Sequence, residues 1–150
     1  MTEPETTSTT GYDISRMVGR TIMSITNGWE ADDGPVDCVP LTVPADRVEF
    51  ILDDGSKIRL WHGQDCCETV DLVDIDGDVA DLIGTPLTMA EEVSNSADPH
   101  GREYEPESYT WTFYKFATVK GYVTLRWFGE SNGYYSESVT VEHIPAEAAT

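Results

Sequence analysis

The chain is short of cations. Nine Lys and Arg stand against 28 Asp and Glu over 150 residues, a formal net charge of −19 at pH 7. That scarcity excludes wrapping a phosphate backbone by bulk electrostatics, because nucleic-acid binders carry a basic footprint. Adsorption to an anionic membrane surface is disfavoured for the same reason. Long apolar runs are missing too, with no stretch of about 18 apolar residues to cross a bilayer. The opening Met-Thr-Glu-Pro-Glu-Thr-Thr-Ser-Thr-Thr has neither a basic n-region nor an apolar h-region, so no secretory signal is expected. Cysteine is scarce: Cys38, Cys66 and Cys67. An odd count with two neighbours is a poor disulfide framework, and a bond between Cys66 and Cys67 would close a strained ring. The expectation is an intracellular protein with reduced thiols.

What is present argues for a folded domain. At 39% hydrophobic and 10% aromatic residues, the chain is too apolar for a wholly disordered acidic polymer. The length suits one domain. Residues 1–12 are rich in Thr, Ser, Glu and Pro and read as a disordered tail. Residues 13–144 read as the domain, and 145–150 as a short second tail.

The dominant periodicity is two. Val48, Phe50 and Leu52 alternate with charged or branched neighbours, as a half-buried strand requires. Asp53-Asp54-Gly55 supplies a tight turn, and Ile58 and Leu60 continue as a second strand. Thr69 to Asp74 reads as another strand. Val79, Leu82 and Ile83 instead sit at helical spacing, predicting one or two turns of helix stopped by Gly84 and Pro86. Leu87 to Ser94 is compatible with strand or helix, and Ala97 to Ser108 reads as a loop. Val18, Thr21, Ile22 and Ile25 are placed at the start of the sheet, before an Asn27-Gly28 turn. In the C-terminal third, Trp111 and Phe113 mark one strand. After a Lys120-Gly121 turn, Val123, Leu125 and Trp127 line the inner face of the next. Ser131-Asn132-Gly133 is a hairpin signal, so Tyr135, Val139 and Val141 are expected to complete a three-stranded meander. The predicted fold class is α+β: mostly antiparallel β-sheet with one short helix.

Several constellations could carry chemistry. His62, Asp65, Cys66, Cys67 and Glu68 concentrate imidazole, thiol and carboxylate, the groups that bind zinc or iron. On an extended segment Cys66 and Cys67 point to opposite faces, however, and no CxxC pair completes a tetrahedral set. The competing reading is a turn closed by side-chain hydrogen bonds, with one cysteine buried as a small hydrophobe. Nucleophilic catalysis by Cys66 or Cys67 would need a base such as His62 or His143, and surrounding carboxylates would disfavour the thiolate. Asp74-Ile75-Asp76-Gly77-Asp78 resembles part of a calcium loop, but Gly77 falls at position four rather than six. Asp76 or Asp78 suits a helix N-cap better. Glu91-Glu92 reads as a solvated pair. Glu130, Asn132, Tyr134 and Tyr135 sit in a polar, aromatic stretch that could bind a partner or merely turn a hairpin.

The charge is uneven. Leu60 to Gly101 contains ten acids and no Lys or Arg, while Arg47, Lys57, Arg59, Lys115 and Arg126 lie on expected strands. One anionic face that includes Asp74, Asp76, Asp78 and Asp81 is therefore expected, able to steer a basic partner over long range.

The strings His62-Gly-Gln-Asp-Cys-Cys-Glu68, Asp81-Leu-Ile-Gly-x-Pro86 and Arg126-Trp-x-Gly-Glu-Ser-Asn-Gly-Tyr-Tyr-Ser-Glu137 resemble a family of small uncharacterised phage and prophage proteins. The resemblance covers about residues 47–142 and brings no activity, cofactor or catalytic residue. It implies a phage-encoded protein in the cytoplasm of a bacterial host. The leading expectation is a non-enzymatic accessory protein without a cofactor. Through its acidic face it would bind a basic host or phage protein, with inhibition of a nucleic-acid-binding protein as one form. A metal-dependent or thiol enzyme centred on His62–Cys67, and a minor virion or assembly component, are the alternatives.

Overall fold

The alternation read in the sequence becomes two facing antiparallel sheets. The structure is a computed structural model that describes residues 9–27, 41, 43–63, 67–95, 108–132 and 136–146. The first sheet has the order β1 (Thr9–Thr10), β9 (Thr140–Ile144), β4 (Lys57–Trp61), β3 (Arg47–Leu52), β2 (Ile22–Thr26). The second has the order β5 (Thr69–Asp76), β8 (Gly121–Ser131), β7 (Ser108–Thr118), β6 (Met89–Asn95).

The β3–β4 hairpin forms as expected, pairing Phe50 with Ile58 and Val48 with Leu60. Gly55 takes the left-handed φ of +88° that the turn needs, and Asp54 Oδ1 accepts the Ser56 N–H at 2.8 Å. Alternate residues then face inward. Val48, Phe50, Leu52, Ile58 and Leu60 meet Leu72, Tyr114, Phe116, Val123, Leu125 and Trp127 of the opposite sheet in one buried core. Phe50 and Phe116 pack across the gap at 5.4 Å between ring centres in a tilted geometry. Burial of these side chains is the main stabilising term, at about 25 cal/mol per Å² of apolar surface.

The outward faces of β7 and β8 carry a separate aromatic cluster. Trp111 lies 4.7 Å from Phe128, and the Arg126 guanidinium stands over the Trp111 ring at 5.3 Å. One side of the sandwich is bridged. Ala45 exchanges two backbone hydrogen bonds with Leu72 of β5, and Ile22 of β2 bridges to Ile83.

Four expectations are corrected. The predicted helix is a single 3-10 turn, Val79–Leu82, and a second 3-10 turn spans Ile14–Met17. Asp78 caps the former by accepting the Ala80 N–H, but Gly84 at φ +92° ends it after one turn. The C-terminal meander is β6–β7–β8, not β7–β8–β9. After Ser131 the chain crosses to the other sheet, where β9 pairs with β4 and Val141 sits opposite Leu60. Part of the expected N-terminal tail is built into the fold: Thr9 and Thr10 pair with His143 and Glu142, and the Tyr12 N–H donates to the Val141 carbonyl. Val18 lies outside the sheet and is exposed. Gly28 and the loop at 97–107 lie outside the described residues, and Tyr135 does as well. No helix among the described residues is long and apolar enough to cross a membrane.

Candidate functional site

The segment between β4 and β5 holds the densest chemistry. Trp61 ends β4 with its side chain on the outer face, and its Nε1 donates to Glu142 Oε1 at 3.1 Å. The next residue, His62, faces Glu68, which precedes β5. His62 Nε2 and Glu68 Oε2 are 2.8 Å apart, with side chains only 6% and 1% exposed. His62 Nδ1 lies 2.8 Å from the Ser138 carbonyl oxygen. A carbonyl only accepts, so Nδ1 carries a proton and donates it there. The Nε2–Oε2 contact then holds one proton shared between imidazole and carboxyl. The pair ties the β4–β5 connection to the segment that leads into β9.

This arrangement bears on the ligand expectation. Both nitrogens of His62 are engaged, so a metal could bind it only by displacing Ser138 or Glu68. Cys67 is disulfide-bonded, which corrects the expectation of reduced thiols throughout. A sulfur in that bond is neither a thiolate ligand nor a nucleophile. Asp65 and Cys66 lie outside the described residues. Among the described residues no group of three or more His, Cys, Asp or Glu side chains is placed to hold a metal ion.

Beside His62 opens a cleft of about 600 Å³. Its walls come from both sheets: Thr10 and Tyr12 at β1, Trp61 and His62 at the end of β4, Ser138 and Thr140 at β9, and Glu92 of β6. A second hollow of about 440 Å³ adjoins it, between Tyr12–Ser15 and Ala90–Glu92. The two share Tyr12 and Glu92, so they form one seam along the side of the sandwich opposite the bridges of Ala45 and Ile22. At its rim the Tyr12 ring stacks on His143 at 4.9 Å. Burial holds the His143 imidazole below its ordinary value, with Arg16 and Arg20 adding to the effect and Asp54 opposing it.

The predicted acidic residues are only partly gathered. Asp74 pairs with Arg126 in the register and bonds its Nη1 at 2.7 Å. A bulge between Leu72 and Asp74 puts Asp71, Asp74 and Asp76 on the same outer face of β5. Asp78 is used as a cap, and the Asp81 carbonyl accepts from the Thr118 hydroxyl at 2.5 Å. Glu130 and Asn132 lie at the other end of the sheet. Thr69 opposes Glu130 whereas Asp76 opposes Thr124, a separation of about 20 Å along β8. Tyr134 and Tyr135 lie outside the described residues. In the same string, the Glu137 carboxylate accepts from the hydroxyls of Thr110 and Ser131 at 2.8 and 2.5 Å. Part of that motif therefore fastens the chain where it leaves β8.

Sequence reasoning passed over Glu92. It read Glu91-Glu92 as a solvated pair whose members face opposite ways on a strand, and both are exposed on β6. Glu92 shares the inner face with Tyr114, its register partner. It also missed the outer-face ion pair of Arg59 Nε with Glu49 Oε2 at 2.8 Å, although the two stand directly opposite in the hairpin.

No curated protein and no solved structure gives a significant match to the chain. One family match spans residues 15–141, from the first 3-10 turn to β9. The chain therefore belongs to the DUF7448 family, a domain of unknown function.

Proposed function

We propose that this protein is a non-enzymatic binding module, encoded by a phage, that offers carboxylates to a basic protein of the phage or its host. The observation that carries the reading is the row Asp71, Asp74 and Asp76 on the outer face of β5, continued by Asp78 and Asp81. On a chain of net charge −19 such a row adds to a long-range field that steers a cationic partner and is screened by salt. The state of the His62 segment argues in the same direction. The imidazole is fully bonded and Cys67 is oxidised, so the alternative of a metal or thiol enzyme would have to dismantle that segment before using it. Inhibition of a basic nucleic-acid-binding protein follows as one form of the module's action, in the cytoplasm of the host.

The test is affinity capture from bacterial lysate, with the wild type and an Asp71→Asn/Asp74→Asn/Asp76→Asn variant. A partner retained at low salt should be released at about 1 M salt, where the screening length is ~3 Å. The variant should retain less of it. If no salt-sensitive partner is captured, the reading fails.

A further inference from the structure

We propose that the basic partner docks at the tip of the β7–β8 hairpin, where Val119 and Tyr122 form an apolar anchor inside a rim of carboxylates. This rests on the acidic-module reading and gives that partner a second property: an apolar surface rimmed by lysine or arginine. The first argument is exposure without a local cause. Val119 is 82% exposed, more than any other large apolar side chain among the described residues. Tyr122, at 49%, is the one exposed aromatic among them. Thr118 pairs with Gly121, so Val119 and Lys120 are the two loop residues of a tight hairpin. Two-residue loops ordinarily take Gly, Asn or Asp, which adopt the turn backbone at least cost. A branched apolar side chain at that place serves neither the turn nor the core. Such a breach of local rules points to recognition.

The second argument is the charge around the tip. The turn that follows β5 closes against it. A Cβ on Gly77 would collide with the Tyr122 carbonyl oxygen, and one on Gly121 with Asp81 Oδ2. Asp76 and Asp78 flank Gly77 in the chain and are exposed. Three carboxylates therefore stand beside Gly121 and Tyr122, continuing the row that runs from Asp71 along β5. The two lysines of this end are turned to other groups. Lys120 Nζ donates to the Ile83 carbonyl at 2.5 Å, and Lys115 stands opposite Glu91 in the β6–β7 pair. An apolar centre with a charged rim is the anatomy of a protein interface, and here the rim complements a basic partner. The third argument is preorganisation. Thr118 Oγ1 donates to the Asp81 carbonyl at 2.5 Å and accepts the Lys120 N–H at 3.1 Å. With the Lys120–Ile83 bond, these ties fix the hairpin on the Val79–Leu82 turn before a partner arrives. Docking then orders little beyond the two side chains, and tyrosine brings a large contact area at low entropic cost.

The probe is a synthetic helical peptide of about fourteen residues, with leucine along one face and lysine elsewhere, which presents an apolar stripe rimmed by cations. It is titrated into the full-length oxidised protein. Affinity should fall by about tenfold or more in Val119→Ser/Tyr122→Thr, a change that leaves the net charge as it was. Thermal unfolding shows whether this variant is folded, and Val119→Ser alone serves where it is not. A photoreactive diazirine on one leucine of the peptide should cross-link to the tip. Wild-type affinity in the folded variant, or cross-links confined to other parts of the protein, overturns docking at the tip while leaving the acidic-module reading standing. Equal binding of a peptide with serine in place of every leucine overturns the apolar anchor. Equal binding of a glutamate–leucine peptide overturns the role of the carboxylate rim. Failure of the lysine–leucine peptide to bind overturns the proposal, whereas absence of any salt-sensitive partner in the lysate overturns the reading beneath it.

Discussion

Replacement of His62 by alanine tests whether the β4–β5 connection is held by a buried pair. The two side chains are 6% and 1% exposed, and their contact is 2.8 Å. Alanine removes the hydrogen bond to Glu68 and the one to the Ser138 carbonyl together. Breaking a buried pair by deleting one partner costs about 3–5 kcal/mol, because the remaining charge stays in a poorly solvated place. For a domain of this length 1 kcal/mol moves the midpoint by roughly 2–4 °C, so the loss in Tm is about 6–20 °C. Glu68→Gln keeps the size, and its amide can donate to Nε2, so its cost should be about 1 kcal/mol. Asp74→Asn breaks a half-exposed ion pair with Arg126 and should cost at most about 1 kcal/mol. Urea unfolding followed by tryptophan fluorescence, without reductant, measures all three. Trp61 adjoins the site, and Trp127 reports the core. If His62→Ala loses no more stability than Asp74→Asn, the pair does not hold this connection and the reasoning is refuted.

Two further outcomes follow from the same side of the molecule. His143 binds its proton less readily in the folded protein than its ordinary value of 6.5 implies, chiefly through burial. The unfolded chain therefore binds more protons below about pH 6.5, and this contribution to stability is full above that value and lost on acidification. His143→Phe keeps a ring against Tyr12 but cannot titrate. The stability of the variant relative to wild type should rise between about pH 7 and pH 5, and a constant difference would refute the assignment. Because Cys67 is oxidised, the unfolded, unreduced chain should titrate one thiol out of its three cysteines. Reduction should expose all three, and three thiols before reduction would show that the bond is absent.

The parts of this fold that were legible in sequence are those fixed by neighbouring residues. The β3–β4 hairpin needs only alternation and Gly55, and the β7–β8 hairpin needs only the turn between Thr118 and Gly121. Three features depend on something local pattern does not contain. Plain alternation would put Asp71 and Asp74 on opposite faces, and one bulge at Val73 reverses that parity. Val141 has the same inward alternation beside β8 as beside β4, so its periodicity is silent about which sheet it joins. The odd cysteine count argued against a framework, yet one bond and one leftover thiol fit the same count.

The candidate site divides along the same line. Sequence brought His62 and Glu68 together because they are six residues apart, and the structure places them in contact with each other. The seam could not be assembled that way. Tyr12, His62 and Glu92 are far apart in the chain and meet only because β1 and β6 end their respective sheets on the same side. Whether a strand is an edge depends on which strands lie beside it. The Met89–Asn95 segment would read the same if another strand covered it. The 3-10 turn Ile14–Met17 packs along this strand, so what flanks β6 is decided far earlier in the chain and leaves no trace in the residues of the strand itself.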